Sequence, residues 1–236
     1  MFVIIADQVD SRHDRDHVDE AIGMLTARFG EHLVLPPERT AGDELQLLVA
    51  DGATALAATL ALLRDDHWRA GLGLGPVALP LPAGVREASG PAFIAARAAI
   101  EAAERRPLRF AVRGARGEDA AERAGGPATI EDGAADIGAI IDLLLTQRAR
   151  WSEQGWQLHD LLERGLTQGD AALELGITPQ AASKRARAAG LRVDADARAS
   201  IGRLLDAVGR TSDGEEGAAA KDTDPGRAGS ASVTGP

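Results

Sequence analysis

Asp7 and Asp43 are the carboxylates of this chain best placed to do chemistry. Asp7 follows the apolar run Phe2-Val3-Ile4-Ile5-Ala6. Asp43 lies in Arg39-Thr40-Ala41-Gly42-Asp43-Glu44-Leu45-Gln46, between the apolar segments Leu33 to Leu35 and Leu45 to Val49. A β-branched apolar run that empties into acids reads as a buried strand with Asp7 at its C-terminal end. Gly42-Asp43 between two apolar segments reads as a hairpin tip. If the two strands are neighbours, both carboxylates approach one divalent cation, whose hard charge takes oxygen ligands and attracts phosphate. Gly-Asp is also among the commonest turn dipeptides, and taken alone the stretch is simply a turn. His13 and His17 stand at i and i+4, a metal-compatible spacing, but in a charged run at a helix start that reads as solvated.

A second constellation lies far downstream. Thr167-Gln168-Gly169-Asp170 is a capping box, with the Thr167 hydroxyl accepting a backbone N–H and Asp170 reaching back. Gly176 supplies a left-handed turn, and Thr178-Pro179 starts a second helix that Gly190 stops. On that second helix Ala182, Ala186 and Ala189 face inward, which is the arrangement of a helix-turn-helix. From Ile177 to Arg192 there are four basic residues, Lys184, Arg185, Arg187 and Arg192, and no acid. Gln180, Ser183 and Lys184 are placed to reach base edges, with Thr178 on the same surface; Arg185, Arg187 and Arg192 are placed to meet phosphates. The rival reading is a helical hairpin that only packs or dimerises.

The elements that position these groups follow in order. A helix is expected over Asp16 to Phe29, a hairpin with a bulge at Pro36-Pro37, a helix over Ala53 to Leu63, and a strand over Arg69 to Val77. Glycines alternate in that strand, as they do where another backbone or a ligand comes close. The order β-α-β-β-α-β is the split βαβ pattern. A helix opening at Gly90-Pro91 and a strand over Leu108 to Val112 complete this half. The expected organisation is α+β: a domain over 1–113, a linker over 114–129, an all-α domain over 130–209 and a disordered tail over 210–236. Amphipathic helices over Ile137 to Leu145 and Asp194 to Val208 carry apolar faces suited to a homodimer.

Composition narrows the classes. No cysteine among 236 residues means no disulfide, no thiolate ligand and no cysteine nucleophile. Apolar runs are broken by charges such as Asp142, so no membrane span is expected and the reading is of a soluble cytoplasmic protein. A formal charge of −10 opposes general polyanion binding, so any contact with nucleic acid needs a local basic patch.

Ile4 to Asp7, Thr40 to Gln46, Arg69 to Val77 and Gly90 to Arg97 together resemble the SatD family, in which similar motifs occur in the same order. The resemblance covers roughly Met1 to Arg113. More distantly the series is similar to class III nucleotide cyclases and diguanylate cyclases, which share a ferredoxin-like βαββαβ core. That resemblance implies that Asp7 and Asp43 hold Mg2+ or Mn2+, that Arg39 stands at a purine-selecting position, and that Arg97 steadies a phosphate. Phe93 occupies the position, four residues before Arg97, where those enzymes carry Asn, which favours binding over turnover. The function expected is therefore a DNA-binding transcriptional regulator with a cyclase-like domain sensing a nucleotide or metal. The alternatives are a metal-dependent nucleotide cyclase or phosphotransferase and a non-catalytic dimerisation scaffold.

Overall fold

The first strand sets the frame of the molecule. In the computed structural model, which describes residues 1–115 and 129–219 and side chains as far as 210, β1 (Phe2–Gln8) is covered on both faces. Phe2, Ile4 and Ala6 enter one apolar cluster and Val3 and Ile5 another. Burial on both faces is why its apolar run is continuous rather than alternating.

Then come α1 (Val18–Phe29), β2 (Leu33–Arg39), β3 (Glu44–Val49), α2 (Gly52–Leu62), β4 (Trp68–Leu74), α3 (Pro91–Ala103) and β5 (Phe110–Gly114). The strands form one mixed sheet in the order β2-β3-β1-β4-β5. β1 is antiparallel to both β3 and β4, β2 is antiparallel to β3, and β5 runs parallel to β4. The register of β2 shifts on both sides of Leu35, by Pro36 and Pro37, as expected of residues that cannot both donate to a ladder.

α3 covers the Val3 and Ile5 face at very short range. A Cβ on Gly71 would lie 2.3 Å from the Ile100 nitrogen, and one on Gly73 2.3 Å from the Ala92 oxygen. The glycines of β4 thus make room for a helix backbone. Ala92, Ala96 and Ala99 on α3 complete that close approach with buried methyl groups.

The opposite face is shared by α1, α2 and two later helices, α4 (Ile130–Arg148) and α8 (Leu191–Ala219). Ile137, Ile141, Leu144 and Leu145 of α4 and Ile201 and Leu205 of α8 join the cluster built on Phe2 and Ile4. α8 crosses α2 closely enough that a Cβ on Gly52 would sit 2.4 Å from the Gly202 oxygen, and Asp206 accepts from the Gly52 N–H at 2.6 Å. Of the apolar faces expected to hold a homodimer, the chain covers these cluster residues itself, while Ile140 and Leu204 stay exposed. Between them α5 (Glu153–Glu163), α6 (Gln168–Glu174) and α7 (Pro179–Ala189) enclose a separate cluster of Trp151, Leu158, Leu161, Ala171, Ala189 and Leu191.

α8 starts at Leu191, ahead of the expected Asp194, and continues to Ala219, beyond the expected end at Val208. Residues 210–219, expected in the tail, are therefore helical; 220–236, and 116–128 of the expected linker, lie outside the described residues. Among the described residues no helix is long and apolar enough to cross a membrane.

Candidate functional site

Asp7 lies near the end of β1, with Glu44 of β3 and Arg69 of β4 opposite it in register. The β2–β3 tip turns at Gly42, whose φ of +58° is in the left-handed region that glycine adopts at little cost. The Gln8 N–H donates to the Asp43 carbonyl at 3.1 Å, and Ser11 Oγ donates to Asp43 Oδ2 at 2.5 Å. This ties the tip to the end of β1. The structure thereby places Asp43 where its charge acts on the Asp7 carboxyl.

The consequence is electrostatic. Burial, followed by the charge of Asp43, pushes the Asp7 carboxyl up to about 6, although Arg69 Nη1 lies 3.1 Å from it and pulls the other way. Burial opposes ionisation of Glu44 as well. There, however, Arg97, Thr40 and Gln46 outweigh it and hold the carboxyl below its usual range. Arg97 grips Glu44 with both terminal nitrogens, at 2.5 and 2.9 Å, and Thr40 Oγ1 donates to it at 2.6 Å. Glu44 is thus a satisfied anion beside a carboxylate pair that repels its own charge. Asp7 is the carboxyl of this group that most readily takes up a proton.

Arg39 does not join this group. It pairs in register with Leu45, which faces the α1 side of the sheet, and its guanidinium meets Asp16 at 2.8 Å and Asp19 at 3.1 Å. Arg39 and Arg97 therefore serve opposite faces. Phe93 packs, partly buried, against the cluster of Val3 and Ile5, as part of the α3 face. Glu44 and Arg69 were not singled out by sequence reasoning. Strand parity is the signal that could have found them, since residues paired with Asp7 across β3 and β4 share its face.

The second constellation folds as its turn residues dictate. Thr167 Oγ1 accepts from the Asp170 N–H at 3.2 Å and donates to the Asp170 carboxylate at 2.6 Å, so Asp170 takes the hydroxyl rather than reaching the Thr167 backbone. Gly176 turns at φ +64°, Thr178 Oγ1 accepts from the Ala181 N–H at 3.2 Å, and Gly190 ends α7 at φ +65°. Ala182 and Ala189 are buried. Thr178, Gln180, Lys184 and Arg187 are exposed, and Ser183 and Arg185 are partly buried. Arg187 Nη1 donates to Ser183 Oγ at 2.9 Å. Arg192, in the first turn of α8, is almost fully exposed, with Asp196 4.0 Å away. Among the described residues, no carboxylate stands within ion-pairing distance of Lys184 or Arg185.

α7 is held firmly behind this surface. Gln147 of α4 donates to the Ala189 carbonyl at 2.6 Å, covering the C-terminal end of α7. Arg148 of α4 binds the fully buried Asp194 carboxylate with two bonds of 2.6 and 2.7 Å, and Arg198 links Asp194 to Glu163 of α5. Arg64, from the end of α2, grips Asp160 of α5 through two bonds of 2.7 and 2.8 Å. The basic surface therefore projects from a mount joined to the sheet. No protein-family model, curated protein or solved structure matches this chain, so the reading of both regions rests on their geometry.

Proposed function

We propose that this protein binds double-stranded DNA through α7, acting as a transcriptional regulator whose sheet domain responds to a cation or a cation-bound nucleotide. One observation carries the reading: in a chain of formal charge −10 the capped helix α7 and the first turn of α8 present Lys184, Arg185, Arg187 and Arg192 with no acid from Ile177 to Arg192. Gln180 and Lys184 are exposed donors suited to base edges, and the arginines suit phosphates. Two half-sites call for two copies, joined elsewhere than on the covered residues of α4 and α8. The test is Lys184→Glu combined with Arg187→Glu. Duplex binding in low salt is lost while the circular dichroism spectrum is kept; equal binding by the double variant refutes the reading.

The antiparallel order β2-β3-β1-β4 supports a ferredoxin-like βαββαβ unit, with β5 added at its edge. The same unit is the core that the cyclases share. The approach of Asp7 to Asp43 favours cation binding, whereas Arg39 turned to the other face and the apolar Phe93 argue against turnover. A metal-dependent cyclase or phosphotransferase is the second reading. ATP or GTP with Mg2+ or Mn2+ is expected to raise the melting temperature without forming product, and Asp43→Asn to remove the rise. Product that disappears in Asp43→Asn favours the enzyme instead.

A further inference from the structure

Asp7 and Gln8 are adjacent on β1 and turn to opposite faces of the sheet; where Asp7 faces Asp43, Gln8 organises a different set of ligands. Its Nε2 donates to the Arg15 carbonyl at 2.6 Å and its Oε1 accepts from the His17 N–H at 2.9 Å. Gln8 is buried, so the loop leading into α1 is pinned by a side chain with both ends satisfied. Beside it, the Val9 N–H donates to the carbonyl of His67, the residue before β4, at 2.8 Å. Three side chains from this frame converge. Asp14 Oδ2 lies 3.2 Å from His17 Nε2 and 3.0 Å from His67 Nδ1.

From this geometry we infer a transition-metal site formed by Asp14, His17 and His67, with zinc as its most suitable ion. Among the described residues this is the one group of three or more such donors within 4.8 Å of one another. Tetrahedral zinc with bonds of about 2.0–2.2 Å sets its donors roughly 3.3–3.6 Å apart, so a spreading of a few tenths of an ångström admits the ion. Two imidazoles and one carboxylate suit zinc and its first-row neighbours rather than magnesium, which prefers an all-oxygen shell. The other ring nitrogen of His17, Nδ1, lies 3.6 Å from Glu20 Oε2, which accepts instead from Arg15 at 3.0 Å.

Burial favours the same conclusion. The His17 ring is nearly enclosed and held in place before any ion arrives, whereas the His67 ring, stacked on it with centroids 4.0 Å apart and about half exposed, has room to turn and aim its lone pair at the ion. A cavity of about 190 Å3 adjoins the group, lined by Glu20, Met24, Asp65 and Trp68 as well as the two histidines. Three protein ligands leave a fourth position, and the cavity gives water or a small anion room to fill it. His13, although four residues from His17, is not in the group.

The full chain, stripped of metal with a chelator, is titrated with Co2+ and then Zn2+. Co2+ bound at this site is expected to give visible d–d bands of tetrahedral strength that Zn2+ abolishes and Mg2+ does not. His67→Gln and Asp14→Asn weaken Co2+ binding at least tenfold while keeping the parent circular dichroism spectrum. His13→Ala leaves Co2+ binding unchanged. Absence of a Co2+ spectrum overturns the site. So does equal binding by parent and His67→Gln, or a loss on His13→Ala as large as that on His67→Gln.

Discussion

At the open end of the sheet every arginine has a carboxylate: Arg97 grips Glu44, Arg69 reaches both Asp7 and Glu104, and Arg39 is held by Asp16 and Asp19. On α7 the balance is reversed. Lys184 and Arg185 face no carboxylate among the described residues, and Arg192 faces only Asp196, at 4.0 Å. Paired charges in contact leave little field for a third partner, whereas unpaired cations on an exposed helix keep theirs. The sheet end therefore spends its charges on its own side chains, whereas the cations of α7 and the start of α8 stay open to an outside partner. Net charge alone would have hidden the second.

The largest expected effect breaks the mount behind α7. Asp194→Ala leaves the buried Arg148 guanidinium without its carboxylate and is expected to cost about 3 to 5 kcal/mol, read from the denaturant midpoint. A shift of less than about 1 kcal/mol would mean that α7 is held by its apolar cluster alone.

A smaller effect of opposite sign is expected at the sheet end. The folded pKa of Asp7, about 6, lies above its ordinary value of 3.8, so the folded state holds this proton more tightly than the unfolded chain. The resulting stability is complete below about pH 4 and is lost as the pH rises through about 6. Asp7→Asn is expected to be more stable than the parent at pH 7, by about 1 to 2 kcal/mol after solvent screening is counted, and to lose that advantage at pH 4. Parallel stability curves for parent and variant across this range would separate Asp7 from Asp43. The smallest effect is at the cap of α7: Thr178→Ala is expected to lower stability by about 1 kcal/mol and to weaken duplex binding as the first turn frays.

Much of this was legible in the sequence because it obeys local rules. Phe2 to Ala6 is continuous because the strand is buried on both faces, Gly71 and Gly73 alternate because α3 lies on them, and Gly176 and Thr178-Pro179 mark the turn before α7. Long-range pairing was less legible. The apolar faces of α4 and α8 announce burial without naming the cover, and the cover is the sheet and α2 rather than a second chain. Arg39 was misplaced relative to Arg97 because one step of strand parity moves a side chain to the other face, and β2 is irregular around its two prolines. Glu44 as the partner of Arg97, and His67 as the neighbour of His17, depend on contacts between segments remote in sequence.

The central claim is that α7 carries the external charge contact of the molecule. It is tested most directly by fluorescence anisotropy of the full chain on a labelled duplex between about 50 and 200 mM salt, for the parent and for Lys184→Ala, Arg187→Ala and Arg192→Ala. Affinity is expected to fall steeply with salt, and each variant that removes a phosphate contact to reduce the slope by about one. Binding that is absent, insensitive to salt, or of the parent's slope in both Arg187→Ala and Arg192→Ala would contradict the account.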